Sequence, residues 1–221
     1  MADLDDEALP IFSICFWSLS FGSLEMKVIR KSSLNEYAKQ FWKRQRQDTK
    51  RTDKDEPALA DIDKGGDPIS WLANIYPYKL PQPFNDKIEL VKFETLEELD
   101  SLLIHDYMIS GEWMQDRDLV PTSKTRRLGD LAALALERRY FETERPDTQI
   151  TLFKTWKEKA NLNSFIDNNS LPLVEGTGEC CYEIVDGWGR LHAMTALVKR
   201  GMTFEPFNCF IASSAGISGT P

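Results

Sequence analysis

Residues Asp186, Gly187, Gly189, Arg190 and His192 set a carboxylate, two glycines, a guanidinium and an imidazole within one short run. The residues before them, Tyr182-Glu-Ile-Val185, favour a strand, and those after them favour a helix ending at Gly201. A strand, a tight glycine turn and a helix N-terminus make a natural anion site. The first helical N–H groups have no internal acceptors, and the macrodipole is positive at that end. Gly187 and Gly189 let the main chain approach a ligand closely. Arg190 adds a planar fork of donors suited to phosphate or carboxylate. Asp186 serves either as the helix N-cap or as a partner for a metal-bound phosphate. His192 is a candidate general base near neutral pH, or else a partly buried polar side chain. Trp188 either stacks on a base or packs on the core. The candidate catalytic residues are therefore Asp186 and His192. The candidate cofactor-binding residues are Gly187, Trp188, Gly189 and Arg190.

Other chemistry has little material to work with. Cys15, Cys180, Cys181 and Cys209 form no CxxC pair, and the two histidines, His105 and His192, lie far apart. No metal site is expected from such an inventory. His105-Asp106 reads as an exposed polar pair. No Ser/His/Asp or Cys/His arrangement is suggested.

The Asp186 segment resembles the ParB/sulfiredoxin-like superfamily, whose strand-turn-helix runs roughly Asp-Gly-x-x-Arg-Leu-x-Ala. Asp186, Gly187, Arg190, Leu191 and Ala193 match that pattern in register, and Gly201 and a strand over 204–212 follow. The resemblance covers about residues 160–212. It implies a phosphate held by helix-N-terminal amides and Arg190, with ATP or CTP and Mg2+ as cofactors. The partner would be a nucleotide or a phosphorylated small molecule, and the activity a phosphotransferase or nucleotide hydrolase. Trp188-Gly189 departs from the family pattern. The cysteine of a sulfiredoxin and the consecutive arginines of a partition protein are both missing there.

Composition sets the outer bounds. The 221 residues carry a net charge of −8, with a pI near 4.9. A general nucleic-acid binder shows a basic face and a high pI, so nucleic acid is not the expected partner. No apolar run reaches the ~18 residues of a membrane span, and the acidic start is wrong for a signal peptide. A cytoplasmic protein is expected, with its cysteines as thiols. The acidic surface, six tryptophans and a charged loop also allow a second class of function. That alternative is a non-catalytic interaction protein, of the immunity or phage-inhibitor kind, that binds a basic protein partner.

The positioning elements follow from periodicity. The expected fold is α+β, a mixed sheet flanked by helices, with a ParB/sulfiredoxin-like C-terminal core and an N-terminal elaboration. Residues 1–94 would hold strands, a basic helix and a charged loop; residues 95–221 a helical segment and the core, with one continuous domain as the other option. Strands are predicted at 11–17, 24–30, 87–93, 171–174, 180–185 and 204–212. Helices are predicted at 33–47, 95–108, 126–143, 155–167 and 189–200, with a short helix or turn at 69–76 and a mobile loop at 48–67. The lysines and arginines of the 33–47 helix read as a solvated face or a docking surface.

Overall fold

The computed structural model describes residues 26–47, 52–81, 87–104, 119, 127–159, 171–176 and 182–213. The strand expected at 11–17, the His105-Asp106 pair and Cys15, Cys180 and Cys181 lie outside the described residues. Five strands form one mixed sheet: β1 (Lys27–Ser32), β2 (Ile88–Phe93), β3 (Leu173–Gly176), β4 (Tyr182–Asp186) and β5 (Phe207–Ala212). Their order is β1-β2-β5-β3-β4. All neighbours are antiparallel except β3 and β5. The early strands therefore belong to the same sheet as the C-terminal ones.

The central strand explains the layering. Phe207, Cys209 and Ile211 of β5 face one core, while Phe210 and Ala212 face a second. In β2, Val91 and Phe93 join the first core, and Ile88 and Leu90 the second. That two-residue period is the pleat of a strand covered on both sides. Helices α1 (Leu34–Gln47), α2 (Asp55–Ile62) and α3 (Pro68–Ile75) contribute to the second core. Helices α4 (Leu96–Ser101), α5 (Leu128–Glu137), α6 (Thr148–Lys159) and α7 (Trp188–Lys199) contribute to the first. The described residues thus form an α+β fold, a mixed sheet with helices on both faces.

The helices begin where local chemistry dictates and end where tertiary contacts intervene. Thr95 and Glu98 form the expected capping box of α4. The helix stops at Ser101, short of the expected 108, because Leu103 pairs with β4 instead. Its N–H donates to the Tyr182 carbonyl at 2.8 Å, and its carbonyl accepts from the Ile184 N–H at 2.9 Å. The helix expected at 126–143 is likewise shorter. Arg139 takes a left-handed conformation, and a 3-10 turn follows over Tyr140–Glu142. The helix expected at 155–167 starts earlier, at Thr148, directly after Pro146-Asp147.

The loop expected over 48–67 contains a helix, α2. Its charged sequence hides Ala58, Leu59 and Ile62, whose spacing packs them on the second core. Asp55 anchors its start from a fully buried position. The carboxylate accepts from the Thr52 N–H at 2.7 Å and from the Tyr76 hydroxyl at 2.8 Å.

Candidate functional site

Strand β4 ends at Asp186, and the chain must turn at once into α7. Gly187 makes that turn with φ +91°, a left-handed conformation costly for any residue with a side chain. A Cβ there would also lie 2.9 Å from Arg190 Nη2 and 3.1 Å from Pro172 Cβ. The missing side chain is what lets the Arg190 guanidinium fold back over the turn. We expect Gly187→Ala to cost about 2–4 kcal/mol by urea unfolding, from backbone strain plus overpacking. Gly201 also has a positive φ, but open space around it. Gly201→Ala should therefore cost only the backbone portion, about 1–2 kcal/mol. Equal losses in both variants would contradict the close-approach argument.

Asp186 is the hub of the site. It is 3% exposed. One carboxylate oxygen accepts from Arg44 Nη1 at 2.9 Å, and the other from Lys79 Nζ at 2.8 Å. Arg190 Nη2 lies 3.7 Å away. Desolvation alone would raise its pKa, but Arg44, Lys79 and Arg190 outweigh it and hold the carboxyl well below the usual range. Burial and the neighbouring Arg44 charge lower Arg190 to about 10, leaving it charged at neutral pH. Tyr37 ties the cluster together: its buried hydroxyl donates to the Lys79 carbonyl at 3.1 Å, linking α1 to the 3-10 turn over Pro77–Lys79. The Arg44 guanidinium lies 5.0 Å from the Phe41 ring centroid, a cation–π contact.

A cleft of about 450 Å³ opens beside this cluster. One side is formed by Arg44, Lys79, Asp186 and the start of α7, from Gly187 to Arg190. The remainder is the start of α6, from Pro146 to Gln149. Two helix N-termini therefore converge on the same space, each from a helix of 12 residues. Gly187 offers no capping side chain to α7, and its carbonyl accepts from the Arg190 and Leu191 N–H groups. Three cations stand against two carboxylates, Asp186 and Asp147, so the lining is positive on a protein that is negative as a whole.

Of the residues singled out in the sequence, Asp186, Gly187, Trp188, Gly189 and Arg190 all line the cleft. Asp186 is not the N-cap of α7, a position held by Gly187. Arg190 turns back toward Asp186 as well as lining the cleft, so it is both an ion-pair partner and a cleft wall. Trp188 is half-buried, with its ring stacked 5.7 Å from that of His192. It combines the core contact with a place on the cleft.

His192 lies in the core and does not line the cleft. It is fully buried among Tyr140, Phe141 and Trp188. Burial lowers its pKa to about 3, and the Leu131 backbone offsets only part of that. A general-base role for His192 near neutral pH is corrected on this ground: the imidazole stays neutral and away from the site. The sign of its linkage is definite. The unfolded chain protonates near the ordinary value of 6.5 and the fold only near 3, so the unfolded state binds more protons between them. Stability is full above about pH 6.5 and falls as pH drops toward 3. We expect the His192 ring signals in NMR to show no titration above pH 5. His192→Leu should flatten the acid limb of the stability curve. A His192 titration near pH 6.5 in the folded protein would contradict this account.

Arg44, Lys79 and Gln149 were not identified from sequence. Arg44 carried a signal: it continues the stripe Leu34, Tyr37, Phe41 at the next helical step, where an apolar residue is expected. A cation at such a position needs a partner, here supplied from 142 residues away. Lys79 and Gln149 carried none.

The Asp186 carboxylate does not suit a divalent cation, because three positive groups already surround it. The described residues contain no group of three or more metal-ligating side chains. No described helix is long and apolar enough to cross a membrane. Comparison with family profiles, with curated proteins and with solved structures returned no match.

Proposed function

We propose that the chain is a phosphate-binding protein of the ParB/sulfiredoxin-like type that holds a nucleotide or phosphorylated small molecule in the cleft beside Asp186. The observation that carries this reading is the convergence of Arg44, Lys79 and Arg190 on two helix N-termini around open space. The Asp-Gly-x-x-Arg-Leu-x-Ala pattern supports the same reading, since its carboxylate, turn and guanidinium all lie at that cleft. Asp186 is a positioning residue in this reading. Its carboxylate fixes three cations so that they meet an oxyanion already oriented. ATP and CTP are the nucleotides the resemblance implies, and a Mg2+ ion would enter with their phosphates. Phosphoryl transfer or nucleotide hydrolysis would need a base other than Asp186 or His192, so binding is the supported activity.

The test is thermal unfolding in low salt with inorganic phosphate, ATP and CTP. A ligand at a hundred times its Kd stabilises the fold by about 2.7 kcal/mol and should raise Tm by several degrees. Arg190→Ala should lose the shift. No shift with any of the three probes would remove the reading and leave the interaction-protein class.

A further inference from the structure

We infer that the ligand's organic part is a polyhydroxylated, sugar-like group, and that Gln149 reads it; this rests on phosphate binding in the cleft as proposed above. The cations account for one side of the cleft only. The start of α6 supplies a different chemistry: the Asp147 carboxylate, the Thr148 hydroxyl and the Gln149 carboxamide.

Gln149 is the telling residue. It is 6% exposed and lines the cleft, and its carboxamide makes no hydrogen bond among the described residues. A side chain held nine-tenths buried, whose carboxamide has no partner among the described residues and borders the cleft, is placed to meet a ligand there. Its position over the first turn of α7 depends on Gly189. A Cβ on that glycine would lie 3.2 Å from Gln149 Cγ and 3.6 Å from its Nε2.

The amide is neutral and both donates and accepts. Against a phosphate its carbonyl would be idle, since phosphate oxygens need donors. Asp147 would repel a phosphate and accept from a hydroxyl. One of its oxygens already accepts from the Tyr140 hydroxyl at 2.9 Å, which fixes the carboxylate in place. Carboxylate, hydroxyl and carboxamide together match groups that both donate and accept, as sugar hydroxyls do. The cleft volume falls in the range of small-molecule sites and far exceeds what orthophosphate needs. The cleft thus suits a sugar phosphate: phosphoryl group toward Arg44, Lys79 and Arg190, hydroxyls toward Asp147, Thr148 and Gln149.

Calorimetric titration of the full chain with four probes tests this: inorganic phosphate, phenyl phosphate, ribose 5-phosphate and AMP. Ribose 5-phosphate should bind about tenfold more tightly than inorganic phosphate or phenyl phosphate, and AMP no more tightly than ribose 5-phosphate. Gln149→Leu should remove that tenfold advantage, bringing ribose 5-phosphate and inorganic phosphate to within about twofold of each other. Gly189→Ala, which crowds the same amide, should act in the same direction. If Gln149→Leu fails to fold, the ranking of probes on the natural chain decides alone. Equal affinity for phenyl phosphate and ribose 5-phosphate overturns the inference while phosphate binding stands. So does an unchanged ratio in Gln149→Leu, or a much tighter AMP complex. No binding of any probe overturns both readings.

Discussion

Replacing Asp186 with alanine should cost the fold about 3–5 kcal/mol, the largest loss expected from any polar substitution in this chain. Its two oxygens satisfy Arg44 and Lys79, and Arg190 sits close by. Without the carboxylate, three partly buried cations face one another with nothing between them. Such a cluster must swell apart, take up counter-ions or unfold. Asp186→Asn keeps the volume but not the charge, so it should fall nearly as far. The pH dependence has a definite sign. The folded carboxyl is held well below its ordinary pKa, so its contribution is complete above about pH 4 and fades as pH falls further. Urea unfolding at pH 7 and at pH 3 should show the variant's deficit narrowing in acid. A loss below about 1 kcal/mol at pH 7 would show that Asp186 is not the structural hub described.

The second large effect concerns ligand affinity. Lys79→Met should weaken phosphate binding about 10–100-fold, the loss expected for one charge-assisted hydrogen bond. Stability should fall much less than in the Asp186 variants, because Arg44 and Arg190 still satisfy the carboxylate. Arg44→Met should weaken binding similarly and destabilise more, since Arg44 also packs on Phe41. Titration calorimetry paired with urea unfolding separates the two consequences. Affinity unchanged in both variants would mean that these cations serve only Asp186 and that the cleft has no use for them.

Much of the scaffold was legible from the sequence. The stripe Leu34, Tyr37, Ala38, Phe41, Trp42 is buried as its helical spacing demands. The capping box at Thr95 forms, and the turn at Gly187 opens a helix. These are local signals, and local physics determines them. The errors arose where distant segments meet. Leu103 and its neighbours carry helical periodicity, yet the strand beside them offers better hydrogen bonds. Asp55 to Ile62 reads as charged loop because most of its surface is solvent-facing, while Asp55 is satisfied from Thr52 and Tyr76. His192 stands two residues from Arg190, and a helix turns successive side chains to different faces. One points at the cleft and the other into the core.

The site itself was half legible. The turn, Asp186 and Arg190 lie within one short motif and show themselves by spacing. Arg44, Lys79 and Gln149 come from three other elements, and only the sheet order brings them together. The carboxylate's role changed for the same reason. A lone Asp before a glycine turn suggests a cap or a metal ligand, whereas an Asp between Arg44 and Lys79 is a clamp on cations.

The most direct measurement is a two-dimensional amide NMR titration of the full chain with inorganic phosphate at low ionic strength. The account predicts saturable shifts concentrated on the backbone amides of Gly187, Gly189 and Arg190. In Lys79→Met the same shifts should need about 10–100-fold more phosphate. Shifts spread evenly over the surface, or none at these residues, would contradict the claim that the cleft beside Asp186 is an anion site.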